Sequence, residues 1–163
     1  MLIRAHAVGL YRACWSSRIL NEAAENRVGV PVLRLADDFP ECMITSDQYE
    51  PLIPATHMDP NDGHVTALCV RAQAEVIVAM EPDQFPESVL KPLGLEVQHP
   101  DEFLCYLLDL RPSTALRVVV ELAADTRQPP RSVLQMLETL GRVAPNFADG
   151  VLYHLPAEMQ SPT

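Results

Sequence analysis

Acidic residues stand at three places in this chain where a carboxylate can do more than keep a surface wet. In DPNDGHVTALCVRAQAEVIVAMEPDQFP, residues 59–86, Asp59 and Asn61 are placed to cap a helix, and Asp62 falls in its first turn. Free backbone N–H groups and the helix dipole favour negative charge there. Just past the apolar run at residues 75–80 come Glu81, Asp83 and Gln84. Upstream, Glu22 lies three residues after Ile19 and one before Ala23, at the border of a helical face, where a carboxylate can point into a cleft. The same spacing is also that of a solvated helix charge. Ser16 and Ser17 read as helix caps, since no His and carboxylate follow them in an arrangement that would make either a nucleophile.

An alternation of helix and strand has to position these groups. The helix of Asp62 runs to about Gln73, and EVIVAM, residues 75–80, is short, apolar and rich in β-branched residues. That is the pattern of a strand covered on both faces in a parallel sheet. Ligands of open α/β sheets bind off the carboxyl ends of the strands, so residues 81–84 stand at a binding edge. Before this core, the sequence predicts a helix over residues 2–8 that stops at Gly9 without a capping residue at its start, and a strand over residues 10–15. The helix SRILNEAAEN then ends near Asn26, a short helix runs from Pro31 to Phe39, and a strand covers residues 42–45. A loop through Pro51 and Pro54 delivers the chain to Asp62; after Pro86 the sequence predicts a helix ESVLKPLG closed by Gly94, and LEVQH is a last strand.

The fold class implied is α/β, a three-layer α/β/α sandwich with a mostly parallel sheet and right-handed crossovers. From Pro100 the pattern is helical only: DEFLCYLLDL, PSTALRVVVELAADTR, PRSVLQMLETLG and PNFADGVLYHL, broken at Pro112, at Pro129 with Pro130, and at Pro145. Each repeats apolar residues at i, i+3, i+4 behind an Asp, Ser or Asn cap. The expected division is residues 1–110 as the α/β part and 111–163 as a helical C-terminal extension. Val118, Val119 and Val120 make one helix apolar on more than one side, for a core or for a partner chain.

Length and composition bound the rest. The chain has 163 residues, 48% of them hydrophobic, which suits an ordered globular protein. A formal net charge of −10 excludes a general basic nucleic-acid patch, so any RNA or DNA contact has to be local or bridged by metal. The cations are 11 arginines and Lys91. Cys14, Cys42, Cys69 and Cys105 form no CxxC pair and have no His at zinc-finger spacing; they read as core thiols of a reducing cytosol. Arg4, His6 and Arg12 interrupt the start, MLIRAHAVGLYRAC, which is too polar for a signal sequence or a membrane span. The expected location is cytoplasmic.

GLYRACWSSRILNEAAEN, DPNDGHVTALCVRAQAEVIVAMEPDQFP and LEVQHPDEFL, in this order, resemble PIN-domain proteins, especially the bacterial branch that includes VapC-type toxins of toxin–antitoxin pairs. The resemblance covers residues 1 to about 110. It implies a sheet edge whose four acidic positions hold Mg²⁺ or Mn²⁺ for hydrolysis of an RNA phosphodiester. Clustered carboxylates repel one another and need a cation, and hard divalent ions prefer oxygen ligands. The family's second acid falls on Glu22 and its third on Asp62. Gln84 stands where another carboxylate is expected, with Asp83 or Glu81 as the substitute. The family's first acid ends an opening strand, and this chain begins after that point. A missing central strand would leave two strands with unpaired edges and an unstable or aggregation-prone chain.

The resemblance further implies a cognate antitoxin, a small basic helix-turn-helix protein that covers the acidic cleft and helical surface near Val118–Val120; homodimerisation is also open. Two functions follow: a Mg²⁺/Mn²⁺-dependent endoribonuclease toxin, or a catalytically degenerate PIN domain that binds antitoxin, RNA or itself without cutting. The two retained acids favour the first, and the missing acid with Gln84 favours the second. A third reading, an α/β domain whose acids are solvated caps, would make the ordered landmarks a coincidence. His64, two residues beyond Asp62, reads either as a contact to the scissile phosphate or as a packing or capping residue.

Overall fold

A computed structural model of the chain describes residues 1–25, 32–125 and 131–159. Asn26, Pro31, residues 126–127 and the Pro129–Pro130 break, all used in the sequence-based boundaries, lie outside the described residues. The chain forms two compact units, Met1–Arg12 with Gln98–Thr163, and Ala13–Val97.

Helix α1 (Leu2–Ala7) opens the first unit. It lacks a side-chain N-cap, as its sequence suggests, and is secured at the other end instead. Gly9, at φ 73°, lets its own N–H reach His6 O and the N–H of Leu10 reach Ala5 O at 3.0 Å, so the last carbonyls are satisfied.

The second unit is built around one helix. Helix α2 (Ser17–Glu25) is capped by Ser16, whose Oγ accepts from the Ile19 N–H at 3.3 Å. Short helices α3 (Leu35–Asp38) and α4 (Ser46–Tyr49) follow. The expected loop before Asp62 is a 3₁₀ helix, Glu50–Thr56, ending at His57 in the left-handed region. Helix α5 (Pro60–Ala72) is capped by Asp59, which accepts from the Asn61 N–H at 2.9 Å. It ends at Gln73, also left-handed, where the Ala74 N–H returns to Cys69 O. Strand β1 (Val76–Val78), helix α6 (Glu87–Leu90) and strand β2 (Glu96–Gln98) complete the set.

Helix α5 is buried on two sides. Ala67 and Leu68 join Tyr49 in a cluster that also takes Ile19, Ile44 and Leu52. Cys69 joins Ile77, Phe85, Leu90 and Leu95 in another. Such a helix shows little amphipathic contrast because both faces meet core.

The sheet is smaller than expected: the described residues are mostly helical, with β1 and β2 as a two-stranded parallel sheet. The strands foreseen at residues 10–15 and 42–45 reduce to a single parallel bridge, Trp15 with Met43. The Trp15 N–H donates to Cys42 O at 3.0 Å and the Ile44 N–H to Trp15 O at 2.9 Å. Apolar content gives each segment strand character, but a ladder needs a partner along its whole length, and packing supplies one residue of it. Likewise β1 is not covered on both faces: Ile77 is buried, Val76 and Val78 are half-buried, and Met80 is 58% exposed. ESVLKPLG splits into α6 and a 3₁₀ turn, Lys91–Leu93, because Pro92 cannot donate within a helix.

In the first unit, α7 (Pro100–Leu110), α8 (Pro112–Ala124), α9 (Val133–Leu140) and α10 (Pro145–His154) follow the proline punctuation closely. Helix α7 packs on α8 and α10, α9 on both of these, and α1 on α8. Val118 and Val119 are fully buried, so the broad apolar surface of α8 serves packing. These two side chains are therefore closed to any partner, contrary to the docking surface expected around Val118–Val120.

Three helix starts depart from the Asp, Ser or Asn expected: α8 has Arg111 at its N-cap without a side-chain bond, and α7 and α10 are capped in other ways. His99 caps α7, with Nδ1 accepting from the Asp101 N–H at 3.2 Å. Helix α10 is capped from another helix. Asp101, 5% exposed, accepts from the Phe147 N–H at 2.8 Å, and from the Asn146 N–H and Nδ2 at 3.2 and 2.8 Å.

Candidate active site

Glu22, Asp62, Glu81 and Asp83 all lie in the second unit, on three of its elements. Glu22 occupies the middle of α2. Leu20 is the residue of that helix buried in the core, and Ile19 joins the cluster against Ala67 and Leu68 of α5. This packing turns Glu22 toward the start of α5, where its carboxylate is partly open, at 44% exposure. Oε1 accepts from Arg18 Nε at 2.9 Å, a helical i, i+4 pair. Oε2 lies 3.2 Å from Nε2 of His64.

Asp62 is partly buried in the first turn of α5, where the helix dipole favours its charge. Gly63 beside it permits close approach to the 3₁₀ segment: a Cβ there would stand 3.3 Å from Ile53 Cγ2 and from Thr56 Oγ1. His64 comes next, 2% exposed. Its Nε2 is within ion-pair distance of Glu22 but is not aligned as a hydrogen bond, and neither ring nitrogen has a hydrogen-bond partner among the described residues. Asp62 and His64, two residues apart, leave the helix about 200° from each other around its axis. The contact made by Glu22 is thus to His64.

Beyond β1, Glu81 precedes a 3₁₀ turn, Pro82–Gln84, that carries Asp83 and Gln84, and all three side chains are exposed. Gln84 Nε2 donates to Glu81 Oε2 in a short contact. The amide standing at the expected carboxylate position therefore engages one of the two acids considered as its substitute.

Chemically, this is a set of hard oxygen donors, the class that Mg²⁺ and Mn²⁺ prefer, with Glu22 accessible to solvent. Among the described residues, no three ligand atoms of Glu22, Asp62, His64, Glu81 and Asp83 lie within 4.8 Å of one another. A closed protein cage is thus not preformed. Mg²⁺ does not require one, since it commonly binds through one or two carboxylates, waters and substrate phosphate. The donors fit such an open site in kind. The pairing of Glu22 with His64 is what sequence spacing missed. The signal for it was the short polar histidine inside an apolar helix, which needs a polar neighbour wherever the helix is buried.

Residues 100–152 match a family described as the VapC50 C-terminal domain. The chain is similar to a Mycobacterium tuberculosis protein named "Putative ribonuclease VapC50", 34% identical over 124 residues, covering 75% of this chain and 73% of that protein. No solved structure matches.

Proposed function

The chain belongs to the VapC-type toxins, and from this membership we propose that it is an endoribonuclease that hydrolyses RNA phosphodiester bonds with Mg²⁺ or Mn²⁺. The observation that carries the reading is that α2 presents the half-exposed carboxylate of Glu22 against His64 of α5, the helix whose first turn also bears Asp62. Glu22 and Asp62 would hold the cation, with Asp83 or Glu81 contributing from the loop after β1. A bound divalent ion polarises the phosphate and lowers the pKa of a water. Arg18 holds one oxygen of Glu22 by a hydrogen bond, His64 lies beside the other, and Asp62 stands in the first turn of α5. The same arrangement reconciles a chain of net charge −10 with a polyanionic substrate, because contact is local and bridged. Residues 1–110 are proposed as a PIN-type α/β sandwich carrying this site, and 111–163 as its helical extension.

RNA cleavage with Mn²⁺, compared with cleavage in EDTA and in Asp62→Asn and Glu22→Gln variants, tests the reading. Each variant is expected to lose at least the roughly 10–100-fold that removal of even an outer partner of a metal site costs. Cleavage unchanged by both substitutions would reject it.

A second reading, a PIN domain that binds without cutting, is favoured by one observation, the engagement of Glu81 by Gln84. It expects RNA binding with no cleavage in any metal, indifferent to Asp62→Asn. In either reading the partner is a small basic antitoxin of helix-turn-helix type, supplying an Arg or Lys to the acidic cleft, and the protein works in the cytoplasm. No helix among the described residues is long and apolar enough to cross a membrane. The free thiols accord with a reducing compartment.

A further inference from the structure

His64 is a polar side chain with its polar edge unmet. It is 2% exposed on α5, and neither ring nitrogen has a hydrogen-bond partner among the described residues. Buried polar groups in folded proteins nearly always find a partner. What Nε2 faces, at 3.2 Å, is Oε2 of Glu22. We propose that His64, held as the Nε2–H tautomer, is a positioning residue for Glu22, fixing its carboxylate in the orientation that receives the divalent cation; this rests on the proposed role of Glu22.

Arg18 holds the other oxygen but is itself 42% exposed at the end of a long stem, whereas the imidazole is buried in the core and defines a direction. A carboxylate oxygen that accepts one N–H keeps a lone pair for a metal, so both contacts are compatible with ligation. Ligating carboxylates are commonly steadied by such an outer donor. The present misalignment fits a contact that tightens on binding, as bonds of active sites often do.

The test combines two measurements. Long-range ¹H–¹⁵N spectra of the histidine side chains are recorded for wild type and Glu22→Gln. Mn²⁺ is titrated by EPR into wild type, Glu22→Gln, His64→Leu, His64→Gln and the Glu22→Gln/His64→Leu double variant, each checked by thermal melt. His64 should appear as the Nε2–H tautomer, with a resonance that moves in Glu22→Gln. Mn²⁺ affinity should fall about tenfold in His64→Leu, return most of the way in His64→Gln, whose amide reaches the imidazole Nε2 position, and fall no further when Glu22→Gln is already present. An Nε2 resonance unmoved by Glu22→Gln overturns the proposal, as does a His64→Leu loss of equal size with and without the Glu22 carboxylate. A resonance that moves in a protein that binds no Mn²⁺ rejects the metal reading and leaves the His64–Glu22 pairing standing. If His64→Leu fails to fold, the spectra and the His64→Gln titration decide.

Discussion

At the scale of single residues, the buried thiols carry the plainest pH dependence. Cys69 packs against Ile77 and Phe85, and burial, with a smaller contribution from Cys14, pushes its thiol from 9.0 up to about 12. The unfolded chain loses this proton near pH 9 and the folded one does not until about pH 12. Above pH 9 the native state therefore binds more protons than the unfolded state, and stability falls as pH rises. The contribution is intact below pH 9, declines by on the order of 1 kcal/mol per pH unit above it, and is lost by about pH 12. Urea midpoints at pH 8 and pH 10.5 should show the decline, and Cys69→Ala should make it shallower. Thiol reagents at pH 8 should leave native Cys69 unmodified, because the thiolate is the nucleophile. Cys105 is shifted upward as well, by burial first and then by Asp101, Asp109 and Glu102.

Elements differ in where their ends are secured. Helix α9 is closed locally: Ser132 Oγ accepts from the Gln135 N–H at 3.2 Å, and Gln135 Oε1 accepts from the Ser132 N–H at 3.0 Å. Removing it with Ser132→Ala should cost about 1 kcal/mol. Helix α10 depends on Asp101, 46 positions before Phe147 in the chain. Asp101→Ala removes an acceptor from three donors and leaves buried N–H groups unmet, so it should cost about 3 kcal/mol. Asp101→Asn, which keeps one carbonyl oxygen, should cost less. Thermal melts rank the three variants, and hydrogen exchange at Asn146 and Phe147 should accelerate in Asp101→Ala while other α10 amides change less. Equal losses for Ser132→Ala and Asp101→Ala would contradict the distinction between the two caps. The exposed pair Arg4–Asp125 should contribute almost nothing, since solvent and salt screen it.

At the scale of the whole molecule, charge governs encounters. A net charge of −10 repels any polyanion at a distance and would attract an antitoxin of the basic kind proposed above. Association with the product of the neighbouring gene should therefore slow by about tenfold or more as salt rises to roughly 0.5 M. Stopped-flow rates at several salt concentrations check it, and a salt-independent rate would mean that apolar contact alone guides the partner. Candidate apolar surface is present in the first unit at Tyr106, Leu110 and Tyr153, which are exposed, and not at Val118 or Val119.

Helices α7 to α10, a helix start at residues 59–61, a serine cap at Ser16 or Ser17, and strands near Val76–Val78 and Glu96–Gln98 were legible in the sequence, and the structure selects Asp59 and Ser16 as the caps. These depend on hydrogen bonds and apolar spacing within a few residues, and such information is local. Which apolar segments become ladder depends on long-range packing. Residues 10–15 and 42–45 have strand composition yet meet in one bridge, because pairing requires a neighbour that composition does not name. That packing also decided that Asp101 would cap α10 and that Val118 and Val119 would vanish into the core. The candidate site divides the same way. Glu22 and Asp62 were legible as acids on helices from their spacing. The placing of Glu22 against a buried histidine followed from how Ile19 packs on Ala67 and Leu68, since the partner of a buried polar group is chosen by the packing around it.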